Sequence, residues 1–282
     1  MFSSGSNKLN TELCYADSCE KRIGVPYVQE GTSAQVVDIY YADSLLRKDA
    51  VLIDIHGGFY VAGKRQNNRA FASEFLKAGF DVVLLEYRVG DGKLDVSTSL
   101  TDCAAALDYL TKNASALGLN KDRMFITGDS AGGHLALYMA EGASDTAVPI
   151  RPSVFSPRGV MLNCPAYDFA SFADKEAFTE EALSWFIGPR WEDNAWLESV
   201  SPRTFISSYR GPLFVSTCRN DFIRGQALLI MTDCVAMDYD IEFIDLDTAN
   251  AKVGHVHNVI SPALADSRTV NGKMIDFMLA QL

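Results

Sequence analysis

Short, nearly continuous apolar runs alternate along this chain with segments of helical periodicity, and this alternation constrains the fold more than any other feature. Residues 50–55 and 81–86 have the Val-, Leu- and Ile-rich composition of strands that are buried on both faces. Residues 67–78, between them, carry large apolar side chains at helical spacing and stop at a glycine. Strands regularly separated by helices form a parallel sheet with helices on both faces, so the sequence predicts the α/β class.

The same alternation continues to the C-terminal end of the chain. We expect further strands at residues 34–41, 123–127, 159–163, 213–217 and 240–245, and further helices at residues 100–112, 131–141, 223–237 and 273–282. The first 33 residues are polar and weakly patterned. We therefore expect an N-terminal arm or partial lid at residues 1–33 and one folded domain at residues 34–282.

One long segment interrupts the alternation. About fifty residues rich in aromatic side chains separate the strand near residue 163 from the strand that starts near residue 213, which is too long for a plain crossover. We expect a small helical cap inserted at about residues 165–210, over the carboxyl edge of the sheet. The alternative is a set of extra core helices that do not contact a ligand.

Composition excludes several classes of protein. The chain has 282 residues, 48% of them hydrophobic, and 25 basic residues against 36 acidic ones give a net charge of −11. No cluster of Lys and Arg could hold a phosphate backbone, so nucleic acid is not an expected partner. No apolar run approaches the ~20 residues that span a bilayer, so no membrane association is expected.

Targeting and cysteine usage favour a cytoplasmic protein. The N-terminus has neither a basic segment nor an apolar segment of the signal-peptide type. The six cysteines form no C-x-x-C pair and are expected to be reduced thiols. A metal site at Cys14 and Cys19 would lack nearby residues to complete four ligands. The sequence leaves the quaternary structure open between a monomer and a homo-oligomer.

A G-x-S-x-G sequence, GDSAG at residues 128–132, carries the strongest chemical signal. It follows a predicted strand and opens a predicted helix, which is the context of a nucleophile elbow, so Ser130 is the candidate nucleophile. At a helix N-terminus, unpaired amides and the helix dipole stabilise negative charge on a substrate oxygen. The alternative is a glycine-rich anion-binding loop, although no nucleotide-binding motif is present.

A second glycine motif, HGGF at residues 56–59, follows the strand predicted at residues 50–55. Adjacent glycines at a strand end let a substrate approach the main chain closely. We expect the amides of Gly57, Gly58 and Ala131 to form an oxyanion hole. His56 precedes the nucleophile by a strand and is expected to brace this loop rather than to act as the base.

These motifs, with EYR at residues 86–88 and GDSAGG at residues 128–133, resemble the hormone-sensitive lipase family of α/β-hydrolases and the neighbouring acetyl esterases. The resemblance covers the chain from about residue 36 to the end. It implies a mostly parallel sheet of about eight strands and a triad in the order Ser, Asp, His. It also implies that no metal or organic cofactor takes part.

The resemblance also guides the choice of the acid and the base. The segment after the strand at residues 213–217 is similar to the family segment that holds the triad carboxylate, which selects Asp221. Asp245 and Asp247, at the end of the next strand, compete with it. His255 and His257 are two residues apart and would face the same side of an extended loop. The family pattern of His followed two places later by an aromatic residue favours His255 as the base, with His257 as the alternative.

Two tyrosines flank these motifs and are candidate substrate-binding residues. Tyr60 follows the HGGF motif and Tyr87 lies in EYR. Either hydroxyl could point into the pocket or only support the loops.

The residues together predict a serine carboxylesterase that hydrolyses small-molecule esters through an acyl-enzyme. Because residues 1–33 offer little of the long N-terminal cap of relatives with large pockets, we expect short acyl chains such as acetyl or butyryl. The aromatic residues of the predicted cap also suit an acetylated sugar. The alternatives are a non-catalytic ligand receptor on the same fold and a small amidase or formamidase.

Overall fold

Eight strands form one central sheet in the computed structural model, which describes residues 14–90, 94–172 and 180–282. The strand order is β1-β2-β4-β3-β5-β6-β7-β8, with antiparallel pairs β1/β2 and β2/β4 and parallel pairing from β4 through β3 to β8. The strands are β1 Lys21–Pro26, β2 Val36–Tyr40, β3 Val51–Ile55, β4 Asp81–Leu85, β5 Met124–Asp129, β6 Val160–Asn163, β7 Leu213–Cys218 and β8 Glu242–Leu246. The predicted α/β class and the mostly parallel sheet are confirmed.

Helices pack on both faces of this sheet. Within the described residues they are α1 Tyr15–Ser18, α2 Arg69–Lys77, α3 Val96–Lys112, α4 Ala114–Leu117, α5 Ala131–Ser144, α6 Phe169–Phe172, α7 Glu180–Ile187, α8 Asn194–Ser199, α9 Pro202–Phe205, α10 Arg224–Ala236, α11 His257–Ile260 and α12 Ala265–Ala280. None of the helices in these parts of the chain is long and apolar enough to cross a membrane.

The continuous apolar strands are buried on both faces, as their composition predicts. In β3 every residue is buried, and Ile53 and Ile55 belong to the core formed with α3, α5 and α10, whereas Leu52 belongs to the core formed with α2 and α12. Successive side chains of a strand point to opposite faces. Both faces of the sheet at β3 are therefore covered by described residues, which leaves the strand ends as the place where a ligand can reach β3.

The structure differs from the sequence-based expectation in the N-terminal segment. Residues 21–26, which we assigned to an arm, form the edge strand β1, paired with β2 through a register shift between Arg22 and Val25. Because β1 is mostly exposed and ends in Pro26, it has no alternating apolar pattern that would mark it as a strand. Residues 1–13 lie outside the described residues.

The final helix, α12, starts at Ala265, eight residues before the predicted start at residue 273. Its first half is largely polar and has no apolar residues at helical spacing that would predict a helix. Ser267 and Asn271 in this half are nevertheless buried and donate hydrogen bonds to the main chain of α11 at 3.1 and 3.0 Å. Tertiary hydrogen bonds thus extend the helix beyond its apolar pattern.

The carboxyl ends of four neighbouring strands meet at one edge of the sheet. Ser130 follows β5, Cys164 follows β6, Asp221 lies just beyond β7, and His255 lies in the loop after β8. Ligands of open α/β sheets bind at this edge. The segment at residues 165–210, where we expected a cap, contains the short helices α6 to α9 in its described part; residues 173–179 lie outside it.

Candidate active site

Ser130 occupies a sharp turn between β5 and α5. Its φ of 55° and ψ of −118° are unfavourable for a residue with a side chain. The turn is possible because glycines stand where the segments cross: a Cβ on Gly132 would lie 1.9 Å from the carbonyl oxygen of Ile55. The G-x-S-x-G sequence thus produces the strained strand-to-helix turn that its glycines predict.

Hydrogen bonds to the end of β6 and to the segment after it hold this turn. The Ser130 N–H donates to the carbonyl of Asn163 at 2.9 Å, and the Ser130 carbonyl accepts from the N–H of Ala166 at 3.1 Å. The next residue, Ala131, is the first of α5, where N–H groups have no acceptor within the helix. An anionic oxygen beside Ser130 would therefore meet the positive end of α5.

Asp221 and His255 form a hydrogen-bonded pair at the same edge. His255 Nδ1 lies 2.6 Å from Asp221 Oδ1, and Thr217 donates to Asp221 Oδ2 at 2.8 Å. Burial raises the pKa of Asp221, but the hydrogen bond and charge of His255, aided by Thr217 and the N–H of Ile223, outweigh it and leave the pKa lowered. An ionised Asp221 accepts a hydrogen bond from the Nδ1–H of His255.

This pairing fixes the tautomer of His255. With the proton on Nδ1, the lone pair of the ring is on Nε2. Nε2 is buried and has no hydrogen-bond partner among the described residues, although the His255 side chain is 15% exposed. The ring can accept a proton at Nε2.

The competing acid and base candidates lie elsewhere. Asp245 is paired with Arg224, whose Nε lies 2.9 Å from its Oδ1, and Asp247 is paired with Arg219 at 2.8 Å. His257 is buried, and no described carboxylate is hydrogen-bonded to its ring.

The two histidines do not share one side of an extended loop, contrary to the expectation. Val256 between them has a φ of 49°, and α11 begins at His257. The turn at Val256 directs the two rings differently, and only His255 pairs with Asp221.

The two glycines of the HGGF motif have different partners. The N–H of Gly57 donates to Asp129 Oδ1 at 3.0 Å, and the same oxygen accepts from Asn68 Nδ2 at 2.9 Å. The prediction of Gly57 as an oxyanion donor is therefore wrong for this structure, because its amide ties the loop to Asp129, next to the turn at Ser130. Gly58 has a φ of 127°, and no described residue accepts a hydrogen bond from its amide.

His56 lies beneath this loop and is almost fully buried. Its Nε2 lies 3.0 Å from Glu86 Oε1, its Nδ1 lies 2.8 Å from the carbonyl of Gly57, and its ring stacks on Tyr87 at 4.4 Å. Burial raises the pKa of Glu86, but the bonds from His56 and Arg65 outweigh it and lower the pKa. These contacts fit a residue that braces the loop.

Tyr87, predicted as a substrate-binding residue, is fully buried and donates its hydroxyl to the carbonyl of His56 at 2.8 Å. That prediction is contradicted, because the hydroxyl is already used to support the HGGF loop. Tyr60 instead lines the pocket beside Ser130, and its buried hydroxyl has no partner among the described residues.

We expect Tyr87→Phe to destabilise the protein by about 1–3 kcal/mol, because it leaves the His56 carbonyl unpaired in the core. Chemical denaturation measures this loss. The KM for a small ester should change by less than about two-fold, because the Tyr87 hydroxyl supports the HGGF loop and does not bind the substrate. A raised KM with unchanged stability would instead indicate that Tyr87 binds the substrate in the pocket.

The pocket at Ser130 is apolar and has a cavity volume of about 30 Å³. Phe59, which lines it, stacks on Phe186 of α7 at 4.7 Å and on Phe222 at 5.8 Å. Phe222 in turn contacts the ring of His255 at 4.3 Å. The remaining lining residues are Tyr60, Ala131, Ala166, Phe169, Phe172, Leu183, Ile187 and Ile223.

Several residues that shape the site gave no clear signal in the sequence. Asn68 bridges Asp54 and Asp129, with its Nδ2 2.9 Å from a carboxyl oxygen of each. Cys164 lies behind the pair, its Sγ within 4.8 Å of ligand atoms of both Asp221 and His255. Because Asp221 and His255 are bonded to each other, a metal ion there would have to displace their hydrogen bond.

Comparison with known proteins agrees with this fold. Residues 37–224 match the BD-FAE family. Esterase LipQ of Mycobacterium tuberculosis is 27% identical over 200 residues, covering 68% of this chain and 47% of LipQ. Carboxylesterase NlhH of the same organism is 26% identical over 206 residues, covering 69% of this chain and 63% of NlhH.

A solved structure extends the likeness to almost the whole chain. Esterase B from Lactobacillus rhamnosis has a TM-score of 0.82 at 22% identity, covering 94% of this chain and 87% of its own. The chain spans about half the length of the curated relatives it matches. The match to residues 37–224, which include the HGGF loop and the Ser130 turn, shows that the chain belongs to the BD-FAE family and is an α/β-hydrolase of the hormone-sensitive lipase and esterase group.

Proposed function

We propose that this protein is a serine carboxylesterase in which Ser130 is the nucleophile, His255 the general base and Asp221 the residue that orients His255. The observation that carries the proposal is the 2.6 Å bond from His255 Nδ1 to Asp221, which leaves a bare Nε2 at the sheet edge where Ser130 stands in a strained turn. Esterase and carboxylesterase relatives support the same reaction class.

The reaction follows from these groups. His255 Nε2 takes the hydroxyl proton of Ser130 as its oxygen attacks the ester carbonyl, and Asp221 stabilises the imidazolium. Nε2 then protonates the departing alkoxide, which leaves an acyl-enzyme. Water repeats the sequence and releases the acid. The hydrogen bond between Nε2 and the Ser130 hydroxyl would form when substrate fills the pocket, because catalytic hydrogen bonds often tighten only in the substrate complex.

The oxyanion formed on the carbonyl would be held by main-chain amides. Ala131 supplies one from the first turn of α5, and Gly58 supplies another from the HGGF loop. Each such donor lowers the barrier by about 3 kcal/mol. Gly57 acts indirectly, because its bond to Asp129 fixes the distance between the HGGF loop and the turn at Ser130.

We further propose that the substrates are esters of short acyl chains. The small pocket, about 30 Å³ in volume, is lined by Phe186 and Ile187 of α7, so the segment at residues 165–210 would act as a cap over it. Ethyl acetate hydrolase of Pseudomonas putida is 33% identical over 92 residues, 32% of this chain, and supports a small acyl group. A sugar is the alcohol part that the aromatic residues of the cap would suit, so an acetylated sugar is a candidate substrate.

A panel of p-nitrophenyl esters tests this function. We expect kcat/KM to be highest for acetate or butyrate and at least about ten-fold lower for octanoate, because each methylene without a place in the pocket loses roughly 1 kcal/mol of transition-state binding. Acetylated xylose or glucose, measured beside simple acetates, checks the sugar ester. The matched control is Ser130→Ala in every assay.

Different results would separate the alternatives. A preference for octanoate or longer chains contradicts the short-chain proposal. Faster cleavage of a formamide than of the matching ester would indicate a formamidase. Binding of esters without turnover, in a protein that does not react with a fluorophosphonate, would indicate a ligand receptor.

A further inference from the structure

Two buried cysteines flank the loop that carries His255. The Sγ of Cys164 accepts a hydrogen bond from the N–H of Val256 at 3.3 Å, and the Sγ of Cys218 donates to the carbonyl of Gly254 at 3.3 Å. The peptide groups on both sides of His255 are therefore held by thiols. None of the steps of ester hydrolysis uses either sulfur.

The strand register brings these cysteines close together. Asn163 of β6 pairs with Ser216 of β7, and the ladder continues because the Cys164 N–H donates to the Ser216 carbonyl at 2.7 Å. Cys218 thus lies one residue beyond the position opposite Cys164. Strand spacing and rise put their Cα atoms roughly 6 Å apart, inside the range of about 4.4–6.8 Å that disulfides use.

The surroundings of the two thiols differ. Contact with the Cys164 thiol lowers the pKa of Cys218, against burial and with help from His257, while the pKa of Cys164 is raised. The thiol form of Cys218, which donates to Gly254, is therefore in equilibrium with a larger fraction of thiolate than an ordinary buried cysteine has. Thiolates are the reactive form of cysteine. Cys218 has the character of an attacking thiol and Cys164 that of its resolving partner.

We propose that Cys164 and Cys218 are a modification site at which hydrogen peroxide forms a reversible disulfide that inactivates the enzyme; the loss of activity rests on the proposed esterase function. The Cys218 thiolate attacks peroxide, so that an S–O bond forms, the O–O bond breaks and water leaves after protonation. The Cys164 sulfur then attacks the sulfenic acid, the S–S bond forms, the S–O bond breaks and a second water leaves. Two electrons pass from the thiols to peroxide.

The disulfide would act on catalysis through His255. Once bonded to Cys164, Cys218 has no proton to donate to the Gly254 carbonyl, and the Cys164 sulfur turns away from the Val256 amide. His255 then loses the two contacts that hold its loop, and small misplacements of a catalytic group cost about 10²-fold in rate. A dithiol reductant converts the disulfide back to two thiols, and the loop that carries His255 returns to its original position.

The test uses the full-length protein treated with hydrogen peroxide and then dithiothreitol. We expect intact mass to fall by two hydrogens, peptide mapping to join Cys164 to Cys218, and p-nitrophenyl acetate hydrolysis to fall at least ten-fold and recover on reduction. Cys164→Ser and Cys218→Ser should each lose both the cross-link and the reversible inactivation. Cys103→Ala, which removes a buried cysteine of α3, should retain both.

The readouts separate this proposal from the esterase function. Mass and peptide mapping report the cross-link even if the protein hydrolyses no ester, in which case only the proposed function fails. Thermal unfolding identifies a serine variant that does not fold, and Cys218→Ala then replaces it. Intact thiols after peroxide treatment, a cross-link between other cysteines, or full activity in the cross-linked protein would overturn the proposal.

Discussion

Ser130→Ala is expected to lower kcat/KM for p-nitrophenyl acetate by at least about 10⁴-fold, because no other group at the turn can form the acyl-enzyme. The residual rate would come from the oxyanion donors and the bound geometry alone. The variant should be as stable as the parent. Serine and alanine both carry a Cβ, so both bear similar strain at the φ of 55° of this turn.

Ser144→Ala provides the matched control. Ser144 closes the same helix, α5, and donates to the carbonyl of Ala140 at 3.3 Å, far from the turn in sequence. Its activity should stay within about two-fold of the parent, as expected for a surface substitution with no catalytic role. A Ser130→Ala protein that keeps more than a tenth of the activity would exclude Ser130 as the nucleophile.

His255→Ala is expected to lower kcat/KM by about 10⁴-fold, whereas His257→Ala should lower it by less than about ten-fold. Of these two histidines, only His255 is bonded to a carboxylate; the lowered pKa of Asp221 keeps it ionised, and the bond holds the ring in the tautomer with a bare Nε2. His257 is buried at the start of α11, so its loss should appear mainly as a lower melting temperature.

Parallel kinetics and thermal unfolding of the two variants distinguish these roles. Asp245→Asn serves as a control for the acid, because Asp245 is occupied by Arg224 at the end of β8. Its activity should remain near that of the parent. Equal losses in His255→Ala and His257→Ala, without unfolding, would contradict the assignment of a single base.

The sequence predicts the sheet and the sharp turn at Ser130 well because their signals are local. β3 and β4 are continuous apolar runs, and only glycine fits where Gly132 passes the Ile55 carbonyl. The edge strand β1 could not be predicted in the same way. Its residues are largely exposed, and it gains its strand conformation from pairing with β2 rather than from its own pattern.

The candidate site was harder to predict, because hydrogen-bond partners distant in sequence decide it. Gly57 and Tyr87 have the residue types of site groups, but their hydrogen-bond donors are already used. The Gly57 amide donates to Asp129, and the Tyr87 hydroxyl donates to the His56 carbonyl. The selection of His255 over His257 depends on the left-handed turn at Val256, which no local pattern predicts for a valine.

The central claim is that Ser130 is a nucleophile activated by His255, and labelling with a fluorophosphonate tests it most directly. Mass spectrometry of the digested protein should find one phosphonyl group, on Ser130, in the parent and none in Ser130→Ala. Labelling should also slow by at least about a hundred-fold in His255→Ala, since the base is lost. A label on another residue, or ester hydrolysis that persists when Ser130 is fully unmodified by the reagent, would contradict the claim.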